Sequence, residues 1–331
     1  MTGSEFTRRG FMASTAGGLL LAAGTRPSFA QEYPSQTIRM ILGFAPGGGT
    51  DVFARLLAPH LSNILGQQAI VENKPGANGN LATQYVANAK SDGYTLLIST
   101  SSSMAASPHA FADMPVDTIK DLEHITMCTE SNFCIAVNAS LPVNTFEEFV
   151  ALAKAEPGKL VHAAPGIGGV NHIGGELMAL RTGIQLTTAQ YKGHGPIIAD
   201  MLANQVHMTV ISVGLAEPYI KAGQLKPLLV MAKKRVPQMP DVPTSVELGI
   251  KDLEQITFWI GLHAPKGTPV EILDRVRAAV VKAYESQDLK DRMKASGLVA
   301  VADSQEHFIA RLKSDYALYG DIIKTAGIKA E

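Results

Sequence analysis

The tripeptide Ala-Pro-Gly stands at residues 45–47 and again at residues 164–166, each time between a β-like run and an amphipathic helical pattern. In "GFAPGGGTDVFARLL" two further glycines precede a helix marked by Val52, Leu56, Leu57, Leu61 and Leu65. In "AAPGIGGVNHIGGELM" Gly168 and Gly169 precede one marked by Ile173, Leu177 and Leu180. Small residues suited to an N-cap follow, Thr50 or Asp51 in the first and Asn171 in the second. A strand that turns through glycines into a helix, in both halves of the chain, predicts βα units and hence α/β layers with mostly parallel strands. Such glycines serve one of two ends. Either they make only the turn that any βα unit needs, or they bare the backbone beside a helix N-terminus, where unpaired N–H groups and a partial positive charge can receive an anion.

The remaining sequence keeps the same rhythm. Residues 37–44 read as a strand, "QAIVEN" as another, a helix starts near Asn80, and residues 94–100 form a third strand that runs into a polar loop, "STSSSMAASP". "FCIAVN" leads to "TFEEFVALAKAEPGK", where Thr145 with Glu148 three residues later is a capping box and Pro157-Gly158 a stop. The last third contains two helices with wide apolar stripes and charged outer faces, which predicts surface helices of structural purpose. Without a linker between the halves, short crossings should join them, as in a hinged two-lobe protein.

The first thirty residues read as an export signal and not as part of the fold. "TRRGFM" carries a twin-arginine pair, residues 13–23 form a short apolar run, and "SFA" precedes Gln31 as a small-residue cleavage site. Removing residues 1–30 takes away three arginines and one glutamate, so the formal charge goes from -1 to -3 over the remaining 301 residues. That mild acidity excludes a basic nucleic-acid footprint. The 46% hydrophobic content suffices for two cores, and no later apolar run is long enough to span a bilayer. Cys128 and Cys134, six residues apart, could close a small disulfide or stay free, but their spacing makes no zinc site.

The glycine loops fit no nucleotide fingerprint. A phosphate-gripping loop needs Gly-Lys-Ser/Thr at its end, whereas Gly49 is followed by Thr50, Asp51 and Val52. The dinucleotide pattern needs a third glycine where Val52 and Asn171 stand. Neither a G-x-S-x-G elbow nor a cysteine with a plausible base is present. His172 and His194 flank glycines but have no carboxylate at metal-ligand spacing, which predicts lining or surface roles, no metal and no cofactor. Two glycine loops on opposed lobes could hold a small carboxylate between them and close on it. At the first of these loops Asp51 either caps the helix or repels an anion, and capping is the expectation.

These residues carry a resemblance. The stretch from "YPSQTIRMILGFAPGGGTDVFARLL" to "ANAKSDGYTLL", with "LAKAEPGKLVHAAPGIGGVNHIGGELM", "YKGHGPIIADMLANQV", "YIKAGQLKPLLVMAKKR", "PDVPTSVELGI" and "FWIGLHAPKGTP", resembles the substrate-binding proteins of tripartite tricarboxylate transporters, the Bug-type periplasmic receptors. The resemblance covers essentially the whole mature chain. It implies a periplasmic-binding-protein (type II-like) fold: lobe 1 of residues 31–129 plus 257–331, lobe 2 of residues 130–256, and a ligand cleft between them. It also implies a monomeric, non-enzymatic receptor delivering a small di-, tri- or aromatic carboxylate to a membrane permease; a periplasmic hydrolase or transferase is the alternative. In such receptors the glycine loop, the loop after a later first-lobe strand and the second lobe's glycine and Tyr-Lys-Gly turns hold the carboxylate, partly through water. Carried over, that points to Gly48, Gly49 and Thr50; to Ser99, Thr100, Ser101 and Ser102; and to Gly168, Asn171, His172, Tyr191 and Gly193. Asp200 is expected to orient a loop. The chain departs from the family at "STSSSMAASP", at His207, and at Ile211 and Ser212, where Asp-Asn is usual. The apolar Ile211 and the serine run point toward an aromatic or longer-chain acid.

Overall fold

The computed structural model describes residues 33–329, so the export signal read at residues 1–30 lies outside the described residues. From Gln36 onward the chain packs as one unit. It begins with β1 (Ile38–Leu42), α1 (Gly49–Leu65), β2 (Ala69–Asn73), α2 (Asn80–Ala87) and β3 (Thr95–Thr100). A π-helical turn (Ser102–Ala106), α3 (Ser107–Ala110) and the 17-residue β4 (Leu122–Asn138) follow. Next come α4 (Phe146–Ala155), β5 (Val161–Ala164), α5 (Val170–Thr182), β6 (Thr187–Gln190), α6 (His194–Leu202), β7 (Met208–Ser212), α7 (Val213–Lys221) and β8 (Leu225–Met231). The chain then returns through β9 (Thr257–Pro265), α8 (Val270–Ala283), α9 (Gln287–Ala295), β10 (Val299–Ala300) and α10 (Gln305–Ala326).

The expected parallel βα units are present, β1 with β2 and β3, and β5 with β6 and β7. What joins them is antiparallel. The first part of β4, Leu122 to Asn132, runs against β9, while Phe133 to Val137 runs against β7 and Phe133 to Asn138 against β8. One strand therefore belongs to both halves of the sheet. β9 carries the chain back into the first half by pairing with β3 as well.

Helix boundaries follow local chemistry. α4 starts with the capping box, Glu148 N–H donating to Thr145 Oγ1 at 3.2 Å, a device that stabilises by about 1 kcal/mol. α1 buries Phe53, Leu57 and Leu61 on one stripe and stops at Gly66, in the left-handed conformation. The segment read as a polar loop after β3 is instead buried and helical. Its hydroxyls are satisfied within the turn or on β9: Thr100 N–H donates to Ser103 Oγ, which donates to Thr100 O, and Ser101 Oγ donates to Thr257 O. Serine serves here because its short side chain bonds its own backbone.

One core runs beneath both halves, from Ile41 and Leu97 through Ile135 and Phe149 to Trp259, Phe308 and Tyr319. Trp259 meets Phe308 edge-on at 5.3 Å and donates to Asp315 Oδ2 at 2.7 Å. Arg311 on the same helix ties three elements together, reaching Asp315 at 2.8 Å, Glu130 on β4 at 2.8 Å and Thr257 on β9 at 2.6 Å. Both cysteines are free and buried. Six residues along one strand separates them by about 20 Å, far beyond disulfide reach.

α5 lies unusually close to β5. A Cβ on Gly175 would sit 2.1 Å from the His162 ring, so only glycine permits the approach. His162 is 1% exposed and both its nitrogens lack a partner. Burial, aided by the neighbouring His172, lowers its pKa to about 4. Above pH 6.5 both folded and unfolded states are neutral here and the ring has no effect on stability. As pH falls from 6.5 towards 4, the unfolded chain takes up a proton that the folded one refuses, and stability falls by roughly 3 kcal/mol. Urea unfolding at several pH values should show this loss, and His162→Leu should make the dependence shallower; equal dependence in both proteins would refute it.

Candidate ligand cleft

Asp51 fixes the shape of the first glycine loop. Its Oδ2 accepts the Gly47 N–H at 3.0 Å and Arg55 Nε at 2.9 Å, and its Oδ1 accepts Asn73 Nδ2 at 2.9 Å. Asn73 also donates to Phe44 O, anchoring the loop to β2. Burial would raise the Asp51 pKa, but Arg55, the Gly47 N–H and Asn73 outweigh it and hold the carboxyl below the ordinary range. Asp51 is thus a staple and not the helix cap expected from sequence, and Thr50 is not the cap either. α1 begins two residues earlier, at Gly49, so both already sit in its first turn, and the extended residue ahead of it is Gly48. The first backbone bond to Gly48 O comes from Val52 at 2.9 Å. The N–H groups of Gly49, Thr50 and Asp51 therefore have no intrahelical acceptor, as at any helix start.

The second glycine turn copies the first in backbone shape. Gly47 and Gly168 both take positive φ, +88° and +67°, and Gly48 and Gly169 share an extended cap conformation, φ -77° in each. Gly169, not Asn171, is the cap of α5. The two ends differ in what they leave open. At α5, Val170 N–H already donates to Ser102 Oγ at 3.2 Å, Asn171 Nδ2 to Val210 O at 2.8 Å, and Gly168 N–H to His172 Nδ1 at 3.2 Å. That acceptance places the His172 proton on Nε2, facing Glu176 Oε1 at 3.4 Å.

Between the turns lies a cavity of about 450 Å³. Of the residues read from sequence, it brings together Gly48, Gly49, Thr50, Thr100, Ser102, Asn171 and Gly193. Tyr191 borders an adjoining depression of about 770 Å³ that shares Phe44, Pro165 and Gly193 with the cavity. The others stand behind the wall. Ser99 is 1% exposed and bonded to His263, Ser101 is tied to Thr257, Gly168 packs on Ala110, His172 faces Gly168 and Glu176, and Asp200 accepts the Tyr191 hydroxyl at 2.6 Å. Ile211 is buried in a separate apolar cluster with Cys134, Ile197 and Val230 and does not line the cavity.

Sequence reasoning missed the apolar wall. Phe258 on β9 lines the cavity, backed by the buried Phe133 of β4 with ring centroids 6.4 Å apart, and Ile198 of α6 with Leu215 and Tyr219 of α7 extends the wall. No local pattern announces this pair, because it forms only when β4 and β9 align Ser131 with Phe258. Ser212, noted for its departure from the family, does line the cavity, as do Asn78 and His194. Two further depressions, of about 850 Å³ around Arg39 and Tyr85 and about 670 Å³ around Arg311, include neither glycine turn. Ser99, His263 and His124 form a bonded chain at 2.6 and 2.8 Å, in the manner of a nucleophile and its base, but all three are buried and none lines the cavity.

Residues 53–328 match the profile of the tripartite tricarboxylate transporter family receptor. Protein BugT of Bordetella pertussis is 32% identical over 324 residues, 97% of this chain and 96% of the relative. Among solved structures, R. palustris Rpa4515 with adipate superposes with a TM-score of 0.82 at 29% identity, covering 90% of this chain and 99% of that one. MatC from Rhodopseudomonas palustris with bound malate gives 0.80 at 28% identity, covering 88% and 100%.

Proposed function

Because this chain belongs to the tripartite tricarboxylate transporter receptor family, we propose that it is a periplasmic receptor that captures a small organic carboxylate and delivers it to the membrane permease of such a transporter. The fold is that of the periplasmic solute-binding proteins, two α/β lobes with the cleft between them. The observation that carries the ligand class is the start of α1. The backbone N–H groups of Gly49 and Thr50, without intrahelical acceptors, lie at the cavity beside bare glycines, and the nearby Asp51 charge is already committed to Arg55 and Asn73. That the related Rpa4515 and MatC were solved with adipate and malate supports the same class here.

Lobe 1 comprises residues 31–129 and 257–331 and lobe 2 residues 130–256, with the hinge where β4 and β9 pass between them. The pairing of β4 with both half-sheets supports this division. Gly48, Gly49, Thr50, Thr100, Ser102, Asn171 and Gly193 touch the ligand or its waters. Ser99, Ser101, Gly168, His172, Tyr191 and Asp200 set the positions of those turns. The protein acts as a monomer without cofactor or catalysis, and is exported by its twin-arginine signal, removed near residue 30. The burial of Ser99 weighs against a hydrolase.

A thermal-shift screen of mono-, di- and aromatic carboxylates tests the reading. Ligand at 100 times its dissociation constant should stabilise the protein by about 2.7 kcal/mol. A panel of carboxylates without any shift would overturn it.

A further inference from the structure

Resting on the receptor reading above, we infer that the cleft selects a carboxylate with a single charged end and an aromatic body, an aryl or arylalkyl monocarboxylate. Three observations converge on it.

The first is that the cavity offers one well-provided anion site. At the α1 end Gly49 and Thr50 line the cavity with N–H groups that have no intrahelical acceptor, whereas of the α5 end only Asn171 lines it, with its side-chain amide held by Val210 O and the Val170 N–H beside it by Ser102. The third helix end at the cavity, α6, is poorer, since its first turn includes Pro196, which has no N–H to give. Its His194 ring points to Val210 O, and burial lowers its pKa so that it stays neutral.

The second is charge. Among the described residues, those lining the cavity include no lysine, arginine, aspartate or glutamate. Lys192 and Lys329 border the adjoining depression instead. A dicarboxylate held at α1 would set its second charge where no counter-charge waits.

The third is the far wall. Phe133 and Phe258 stand at 59° to one another, and Ile198, Leu215 and Tyr219 complete an apolar surface. Leu215 is 41% exposed and lines the cavity, so its side chain is open to a ligand there. A ligand ring fits beside such a tilted pair, because aromatic rings favour edge-to-face and offset contacts at these separations. A carboxylate pushed against the same wall would lose its water and gain no partner.

Calorimetric titration of the mature protein with benzoate, phenylacetate, succinate, adipate and malate tests the inference. An aryl acid should bind at least about tenfold tighter than any of the three dicarboxylates. Phe258→Ala should weaken that binding about tenfold or more. Phe258 lies on β9, paired on both sides within the sheet, so Leu215→Asn, on a half-exposed helical position, provides a second variant that should weaken aryl-acid binding while leaving the thermal midpoint unchanged. If a dicarboxylate binds tighter than both aryl acids, or if neither variant alters aryl-acid affinity, the inference fails while the receptor reading stands. If none of the five binds, both fail.

Discussion

Gly49→Val should abolish carboxylate binding while leaving the ligand-free fold intact. A Cβ built on Gly49 meets nothing within 4 Å, and its backbone does not require the left-handed region, so a side chain is accommodated without strain. Gly49 lines the cavity, so a side chain there stands beside the donors of the α1 end. A branched side chain there holds the carboxylate off the N–H groups and removes several charge-assisted hydrogen bonds together, each worth about 1.5–3 kcal/mol. The affinity should fall by more than about a hundredfold, which corresponds to roughly 2.7 kcal/mol. Calorimetry reads the affinity and a melting curve without ligand reads the fold. A retained dissociation constant would move the anion site away from α1.

Arg311→Met should lower stability by about 3 kcal/mol. The guanidinium is 27% exposed and the Asp315 carboxylate beneath it 3%. Burial pulls the pKa of Arg311 down, but Asp315 and Glu130 reverse the effect and raise it. For Asp315, burial raises the pKa and prevails over Arg311 and Trp259. The two shifts point opposite ways: Arg311 gains from the pair, whereas Asp315 pays more for burial than its partners return. Such a pair adds little net stability when intact, yet removing one member strands the other. Methionine fills the volume and leaves Asp315 with only the Trp259 indole. Urea unfolding should show a lower midpoint at an unchanged slope; an unchanged midpoint would mean that Asp315 is adequately solvated without its arginine.

The βα rhythm, the Thr145 cap and the twin glycine turns were legible in the sequence because each is local. Strand and helix periods, capping chemistry and the need for positive φ are written within a few residues. The caps themselves were misplaced, because a polar residue after glycines looks like a cap and only the backbone shows that the helix has already begun. The serine run reads as a polar loop and is a buried helical turn, because its hydroxyls find their partners within three residues or across to β9, neither of which composition reveals. The glycine turns announced themselves through their motif, but the aromatic wall could not, since Phe133 and Phe258 become neighbours only through an antiparallel pairing of segments far apart in the chain.

The placement of the two thiols has a consequence for how the protein matures. Cys128 and Cys134 are fixed far apart on one strand, and burial raises the pKa of both, that of Cys134 to about 12. Neither is poised to ionise, exchange or be oxidised. Folding therefore includes no oxidative step, and the same native structure should form on either side of a membrane, whether the surroundings are reducing or oxidising.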